Sequence, residues 1–399
     1  MDAREKLTQE ILNLGGRNWV LELATGTGKT KIAIEKTKQL KAKKVLIVVP
    51  RLVLKQEWRK ELKKWWGEDL DSVDFTITTY MSFPSNLDKK TLDYDVAIFD
   101  EGHHISQRCL DCMGEYHFKH AIILSATISK RRKQLLREAF GNLEFFTMDL
   151  RDVIAADILP DPLVYLIPLR LDNTKATEVA VRNPKGTKTV RCRWDQRFAF
   201  FKGLPKTTRL EIECTQMQYM QYYDNLIEFY KNQVLMKGSR ALELAWLKQC
   251  GDRLKYLSNI KTSYVRSLLN SLEKKRTITF CNGITQTEEL GSYCINSRNK
   301  ESSKILEDFN NGAVNHITAC NMVNEGCNLS DCQVGIYANL NSSETIVKQR
   351  LGRLLRHPNP IVVIPYYENT REEEIVRRMV EDYNPELIKI IYNLNSLKV

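Results

Sequence analysis

Within the first 127 residues, five short apolar runs each end in a cluster of polar residues: 19–23, 44–49, 74–80, 95–99 and 121–124. The run KVLIVV at 44–49 is continuous and β-branched, the pattern of a strand buried on both faces. Strands of that kind require a parallel sheet covered by helices on both sides. Helical patterns fill the gaps, first with Ile32, Ala33 and Ile34 among lysines, then with Leu52, Leu54, Trp58 and Leu62. Another, over residues 4–14, carries Leu7, Ile11, Leu12 and Leu14 ahead of the first strand. Open α/β sheets place ligands at the carboxyl ends of their strands. The polar clusters are therefore where chemistry is expected.

The first cluster is Ala24-Thr25-Gly26-Thr27-Gly28-Lys29-Thr30. Strand, glycine loop and helix N-terminus together form a cradle for phosphates: loop N–H groups and the helix dipole face the anion, and Lys29 adds a point charge. The strict phosphate-loop pattern wants a glycine five positions before Gly28, where this chain has Leu23. A plain glycine-rich turn is the competing reading of the loop alone. Gln9, on the preceding helix, has an amide able to read both donor and acceptor on an adenine edge; a solvated surface glutamine is the alternative.

Asp100-Glu101, after the run at 95–99, complements this loop. We expect Asp100 to serve Mg²⁺ together with the Thr30 hydroxyl. Glu101 is expected to orient and deprotonate the attacking water. An acidic pair that merely caps the next helix is the other reading.

From about residue 140 the pattern loosens, and residues 163–171, LVYLIPLRL, carry the chain toward a second domain. Strands are expected at 277–281, 315–320, 333–338 and 361–364, and two helices with a break at Pro385 over 370–397. Before them, the alternating runs 178–182 and 187–194, joined by Asn183-Pro184-Lys185-Gly186, signal a β-hairpin. Arg182, Lys185, Lys188, Arg191 and Arg193 lie on it, and Trp194, Phe198, Phe200 and Phe201 follow closely. Phosphate neutralisation with aromatic stacking builds nucleic-acid surfaces that do not read sequence; a solvated hairpin is the alternative. Residues 215–272 read as helices. In the helix expected at 342–356, Gln349, Arg353 and Arg356 share one face and Val347, Leu351, Leu354 and Leu355 the other. Paired arginines on a packed helix suit the charge that develops on a triphosphate.

A chain of 399 residues with a formal charge of +11 fits a polyanion partner as well as simple solubility. Ten cysteines without framework spacing point to reduced thiols in a cytoplasmic setting. No secretory leader is read at the start, and no apolar run approaches ~18 residues, so no membrane partner is expected. Cys109, Cys112, His117 and His120 invite a zinc reading, but their spacing is too short for a finger and they fill a slot that needs a helix and a strand.

The motifs ATGTGKT (24–30), VVPRLVLKQEW (48–58), TTY (78–80), DEGH (100–103), SAT (125–127), TITFCN (277–282), NEGCNLSD (324–331) and QRLGRLLR (349–356) occur in one order. In that order the chain resembles the superfamily 2 helicases, and within them compact phage-type members related to branch-migration and Swi/Snf-like translocases. The resemblance implies two tandem RecA-like parallel-sheet domains, 1–157 and 158–399, with the hairpin and helices of 172–272 inserted in the second. It implies ATP with Mg²⁺ between them, DNA (forked, branched or duplex) or else RNA as partner, and a monomer in a bacterial or phage-infected cytoplasm. Residue by residue, it implies arginine fingers at Arg353 and Arg356 with Gln349 beside them, and Gly326 near the nucleotide. Arg51, Thr79 and Asn321 would lie near the nucleic-acid backbone, and His103, Ser125 and Thr127 would link ATP state to strand binding. Two positions depart from the pattern: Asn328 replaces the usual aspartate, and Gly102 fits neither the DEAD nor the DEAH subgroup.

Overall fold

The computed structural model describes residues 2–85, 92–205, 207–320, 329, 331–340, 354 and 356–398. Its first sheet contains β1 (Asn18–Leu23), β2 (Lys44–Val49), β3 (Asp74–Thr79), β4 (Asp93–Phe99), β5 (His117–Ser125) and β6 (Leu143–Met148). The order is β3-β2-β4-β5-β1-β6, and every pairing is parallel. The five apolar runs are thus the strands expected. β6 was not legible because an edge strand needs no continuous apolar run; its residues are only partly buried or exposed. Around the sheet lie α1 (Ala3–Leu12), α2 (Lys29–Gln39), α3 (Leu52–Trp66), α4 (Gln107–Cys112), α5 (Lys130–Phe140) and α6 (Leu150–Ala155).

Lys36, buried on α2, ties α1 to this layer. Its ammonium donates to the carbonyls of Ile11, Leu12 and Leu14 at 3.3, 2.7 and 3.0 Å, and lies 4.6 Å from the Trp19 ring centroid. Carbonyls at the end of a helix have no intrahelical partner, so a lysine buried here caps α1.

β7 (Leu163–Leu169) opens the second sheet. An insertion follows, with β8 (Glu178–Arg182), β9 (Lys188–Arg193), α7 (Arg197–Gly203) and β10 (Thr208–Cys214). The two basic runs are strands, but they do not pair as a hairpin. β10 lies between them, antiparallel to β8 and parallel to β9. Gly186 explains the difference: a Cβ there would stand 2.2 Å from the Arg209 amide nitrogen. Asn183–Gly186 do form a turn, with the Gly186 amide donating to the Asn183 carbonyl at 2.9 Å, and the glycine that ends it also lets the Arg209 backbone pass close by. β10 takes the centre because Leu210, Ile212 and Cys214 alternate inward and are buried.

The helices α8 (Gln216–Lys237), α9 (Arg240–Ile260) and α10 (Thr262–Ser271) follow as expected. The second sheet then continues through β11 (Thr277–Phe280), β12 (Cys294–Ile295), β13 (His316–Ala319), β14 (Val334–Tyr337), β15 (Ile361–Tyr367) and β16 (Ile388–Ile390). Its order is β12-β13-β11-β14-β15-β7-β16, again all parallel. The tail holds one helix, Arg371–Met379, and then β16 where a second helix was expected; Pro385 starts a short 3₁₀ turn that leads into the strand. Leu354, fully buried, sits over Gly335, where a Cβ would come within 2.1 Å of its Cδ1. A glycine in β14 thus makes room for Leu354; Val347, Leu351 and Leu355 lie outside the described residues.

Candidate functional site

The first strand ends at Leu23, and the loop after it turns on two left-handed glycines, Gly26 at φ 96° and Gly28 at φ 93°. Residues with a Cβ rarely adopt that conformation. Thr27 closes the turn by donating from Oγ1 to the Ala24 carbonyl at 2.9 Å. Lys29 begins α2, so the helix N-terminus opens onto the loop, with Thr30 in its first turn. Lys29 Nζ donates to the Leu23 carbonyl at 3.0 Å, which lays the ammonium across its own loop. The Thr25 hydroxyl is buried there without a hydrogen-bond partner among the described residues. A buried, unpaired hydroxyl beside a cradle of this shape is what a ligand with acceptor oxygens would satisfy.

Registry brings the acidic pair alongside. Phe99 pairs Ile123, and Ile123 pairs Val20, so β4 and β1 flank β5 and end on the same side. Asp100 is buried. Its Oδ1 accepts from the Glu101 amide at 3.0 Å and its Oδ2 from Trp58 Nε1 at 2.8 Å. The Asp100 carbonyl accepts from the Tyr80 hydroxyl at 2.7 Å. Burial, then the neighbouring Glu101 charge, raise the Asp100 carboxyl to about 6; the Trp58 bond and the Lys29 charge act the other way. A buried aspartate whose ionisation is opposed by burial and by a neighbouring carboxylate is a place where a hard cation is favourable, and the oxygens of Asp100 and Thr30 suit Mg²⁺.

Glu101 adopts a left-handed backbone, φ 50° and ψ 59°. A non-glycine residue held there stores strain. Gly102 is a glycine for a packing reason: a Cβ would lie 2.4 Å from Ile123 Cγ2 of the adjacent strand. The departure from the subgroup pattern is thus a matter of close approach to β5. His103 Nδ1 lies 3.2 Å from Ser125 Oγ and 3.4 Å from Glu101 Oε2, and Ser125 Oγ donates to the Thr127 carbonyl at 2.9 Å. The structure therefore joins His103, Ser125 and Thr127 in one chain of contacts leading from Glu101.

Other candidate residues are more dispersed. Gln9 is exposed and donates to Glu5 at 3.2 Å; Glu5 in turn pairs Lys31 at 3.5 Å, one position after Thr30. Arg51 is exposed at the start of α3, and Thr79 is buried at the end of β3 with its hydroxyl against Ser82 at 3.1 Å. Arg356 is exposed two residues beyond buried Leu354. Asn321, Gly326, Gln349 and Arg353 lie outside the described residues.

The basic strands differ from their sequence reading. Arg191 pairs Glu211 at 2.9 Å, and Arg193 lies 3.9 Å from Asp195. Arg182 covers the Phe201 ring at 4.5 Å, while Lys185 and Lys188 are exposed. Trp194, Phe200 and Phe201 pack on the core of Cys192, Leu210 and Ile212, and only Phe198 of the four aromatics is mostly exposed. Three of the expected stacking rings thus hold the small sheet together. The zinc reading also gives way to packing. Cys109 Sγ is buried on α4 against the Tyr80 carbonyl at 3.4 Å, and His120 stacks on Trp19 at 5.6 Å. Among the described residues no three metal-capable side chains cluster.

Through their bonds to Asp100 the structure adds Trp58 and Tyr80 to the site. Both occur within the quoted motifs, but an apolar spacing assigns Trp58 to the core, and nothing in one sequence reveals which way its indole N–H points.

Residues 2–130 match the family of the type III restriction enzyme res subunit, and residues 260–358 match the helicase conserved C-terminal domain. No protein of curated function matches the sequence. Among solved structures, Saccharomyces cerevisiae Dbp5 bound to RNA and ADP BeF3 superposes with a TM-score of 0.55 at 11% identity, covering 98% of this chain and 89% of that one. A fragment of a putative HsdR subunit of a type I restriction enzyme from Vibrio vulnificus YJ016 gives 0.56 at 15% identity, covering 98% of this chain and 67% of that one. At those identities the two structures establish a common fold of tandem RecA-like sheets.

Proposed function

Starting from a chain that belongs to the superfamily 2 helicases, nucleic-acid-dependent ATPases, we propose an ATP-dependent DNA helicase or translocase that moves along DNA without reading sequence and separates or migrates strands. The observation that carries this reading is the placing of the loop at 24–30 and of Asp100 and Glu101 at the ends of β1 and β4, the two strands that flank β5 in one parallel sheet. In this reading residues 1–157 and 158–399 are the two working domains.

The loop N–H groups and Lys29 hold the triphosphate of ATP. Asp100 and Thr30 would hold Mg²⁺, which when bound would neutralise charge on the phosphate oxygens. Glu101 takes the proton of the attacking water. Arg353 and Arg356, from the second domain, meet the charge that develops on the transferred phosphate. Hydrolysis then requires the domains to close, and loss of the γ-phosphate releases them. His103, Ser125 and Thr127 carry that change to the strand-binding side. With Arg51, Thr79 and Asn321 on backbone phosphates, each closure shifts the protein along its strand, and contact with phosphates rather than bases leaves the motion independent of sequence. Lys185 and Lys188, exposed beside the small sheet, support it as a second grip on duplex.

An RNA helicase is the second reading, favoured by the fold shared with a protein whose solved complex contains RNA. Phosphate release with duplex DNA, single-stranded DNA and RNA of equal length separates the two. The expected result is stimulation by DNA well above that by RNA; equal or greater stimulation by RNA overturns the DNA assignment. With no release on any of the three, the remaining reading is an ATP-switched binding scaffold.

A further inference from the structure

Among the described residues 2–157, the large hydrophobic side chains most exposed are Leu52, Val53 and Met81, at 72%, 58% and 87%. They fall together. β2 and β3 are neighbours in register from Lys44↔Asp74 to Val49↔Thr79, and the Tyr80 amide donates to the Val49 carbonyl at 3.0 Å. Leu52 and Val53 follow the end of one strand and Met81 the end of the other, and exposed Arg51 directly precedes Leu52. Apolar side chains left in water at the carboxyl edge of a parallel sheet, beside an arginine and the basic α3 (Lys55, Arg59 and Lys60), have the chemistry of a surface that takes sugar and base faces while cations take phosphates.

Each of these two segments also sends one aromatic side chain inward to the same residue. From α3, about two turns past Arg51, Trp58 is 2% exposed and donates to Asp100 Oδ2 at 2.8 Å. From the end of β3, Tyr80 is 7% exposed and donates to the Asp100 carbonyl at 2.7 Å. Thus one donor fixes the carboxylate and the other fixes the backbone from which it projects. Neither bond belongs to the chain of contacts through His103 and Ser125.

We propose that Trp58 and Tyr80 are positioning residues that couple a nucleic-acid strand lying on Arg51, Leu52, Val53 and Met81 to the setting of Asp100 in the nucleotide site. This route rests on the reading of the chain as a nucleic-acid-dependent ATPase. A strand that shifts the start of α3 or the end of β3 moves a donor of Asp100, and a nucleotide that resets Asp100 moves the strand surface. Coupling between two binding sites is reciprocal, so it can be measured as an effect of nucleotide on DNA affinity, with no turnover involved.

The experiment is fluorescence anisotropy of a labelled oligothymidylate with the full chain, with and without Mg·ATPγS. Coupled sites typically differ by about 5–150-fold between the two conditions. Tyr80→Phe keeps the ring and Trp58→Phe a smaller one, and each deletes one donor. The expected result is that each variant moves the affinity ratio toward one while binding of a fluorescent ADP in EDTA stays near the parent value; each loses a buried donor, so the thermal midpoint falls slightly and the assays are run below it. A parental ratio in both variants overturns the route, and Tyr80→Phe serves alone if Trp58→Phe does not fold. Leu52→Ser with Met81→Ser is expected to weaken DNA binding alike in both conditions; unchanged affinity overturns the placement of the strand. A ratio of one in the parent protein overturns the underlying reading of a nucleotide-coupled motor and the route with it.

Discussion

Glu101→Gln is expected to lower ATP turnover by roughly 10²–10⁴-fold, the usual contribution of a positioned general base, while nucleotide binding stays near the parent value. The two side chains have the same shape, and glutamine cannot take a proton from water. Position 101 is demanding in other ways. Its backbone is left-handed, and Glu101 Oε2 is buried without a hydrogen bond among the described residues, although His103 Nδ1 stands 3.4 Å away. A carboxylate kept in a strained backbone with one oxygen unspent is placed for a partner that arrives with the substrate. The amide keeps the backbone requirement and removes only the proton acceptor. Single-turnover phosphate release and binding of a fluorescent nucleotide together check the result. Release at the parental rate would move the base to another residue, and lost nucleotide binding would mean that Glu101 shapes the pocket.

The ends of the inner strands were legible because burial on both faces leaves few polar positions, as in Val45–Val49, so the apolar run stops near the end of the strand. The loop at 24–30 was legible for a related reason: left-handed turns select Gly26 and Gly28, and a helix must begin directly after them. Leu23 looked like a missing glycine and is the last residue of β1, fully buried. The small sheet was misread because alternation reports a half-buried strand and not its partner. The turn that ends at Gly186 forms, but a turn does not say that the runs on either side pair with each other, and the third strand, Thr208–Cys214, comes between them. Likewise a basic and aromatic stretch does not state which rings face inward. The buried bonds of Trp58 and Tyr80 to Asp100 depend on χ angles that periodicity does not encode.

The second large effect concerns the fold of the second sheet. Lys261 and Glu372 are both fully buried, with Nζ and Oε1 at 2.6 Å. The pair is otherwise satisfied: Lys261 also donates to the Pro365 carbonyl at 3.1 Å, and Glu372 Oε2 accepts from the Tyr367 amide at 3.0 Å. It fastens the junction of α9 and α10 to β15 and to the helix Arg371–Met379. Burial pushes the Lys261 ammonium toward its neutral form, and the Glu372 charge opposes this. Lys261→Met is expected to destabilise the protein by about 3–5 kcal/mol, because it strands an uncompensated carboxylate in the core. Lys261→Met combined with Glu372→Leu is expected to recover most of that loss, since two apolar side chains of similar volume replace the pair without leaving a charge. Urea unfolding followed by tryptophan fluorescence measures both variants. A single variant as stable as the parent would mean that Glu372 is protonated at no cost. A double variant as unstable as the single would mean that the Pro365 carbonyl and the Tyr367 amide, which lose their partners in it, set the stability of this junction rather than the stranded charge.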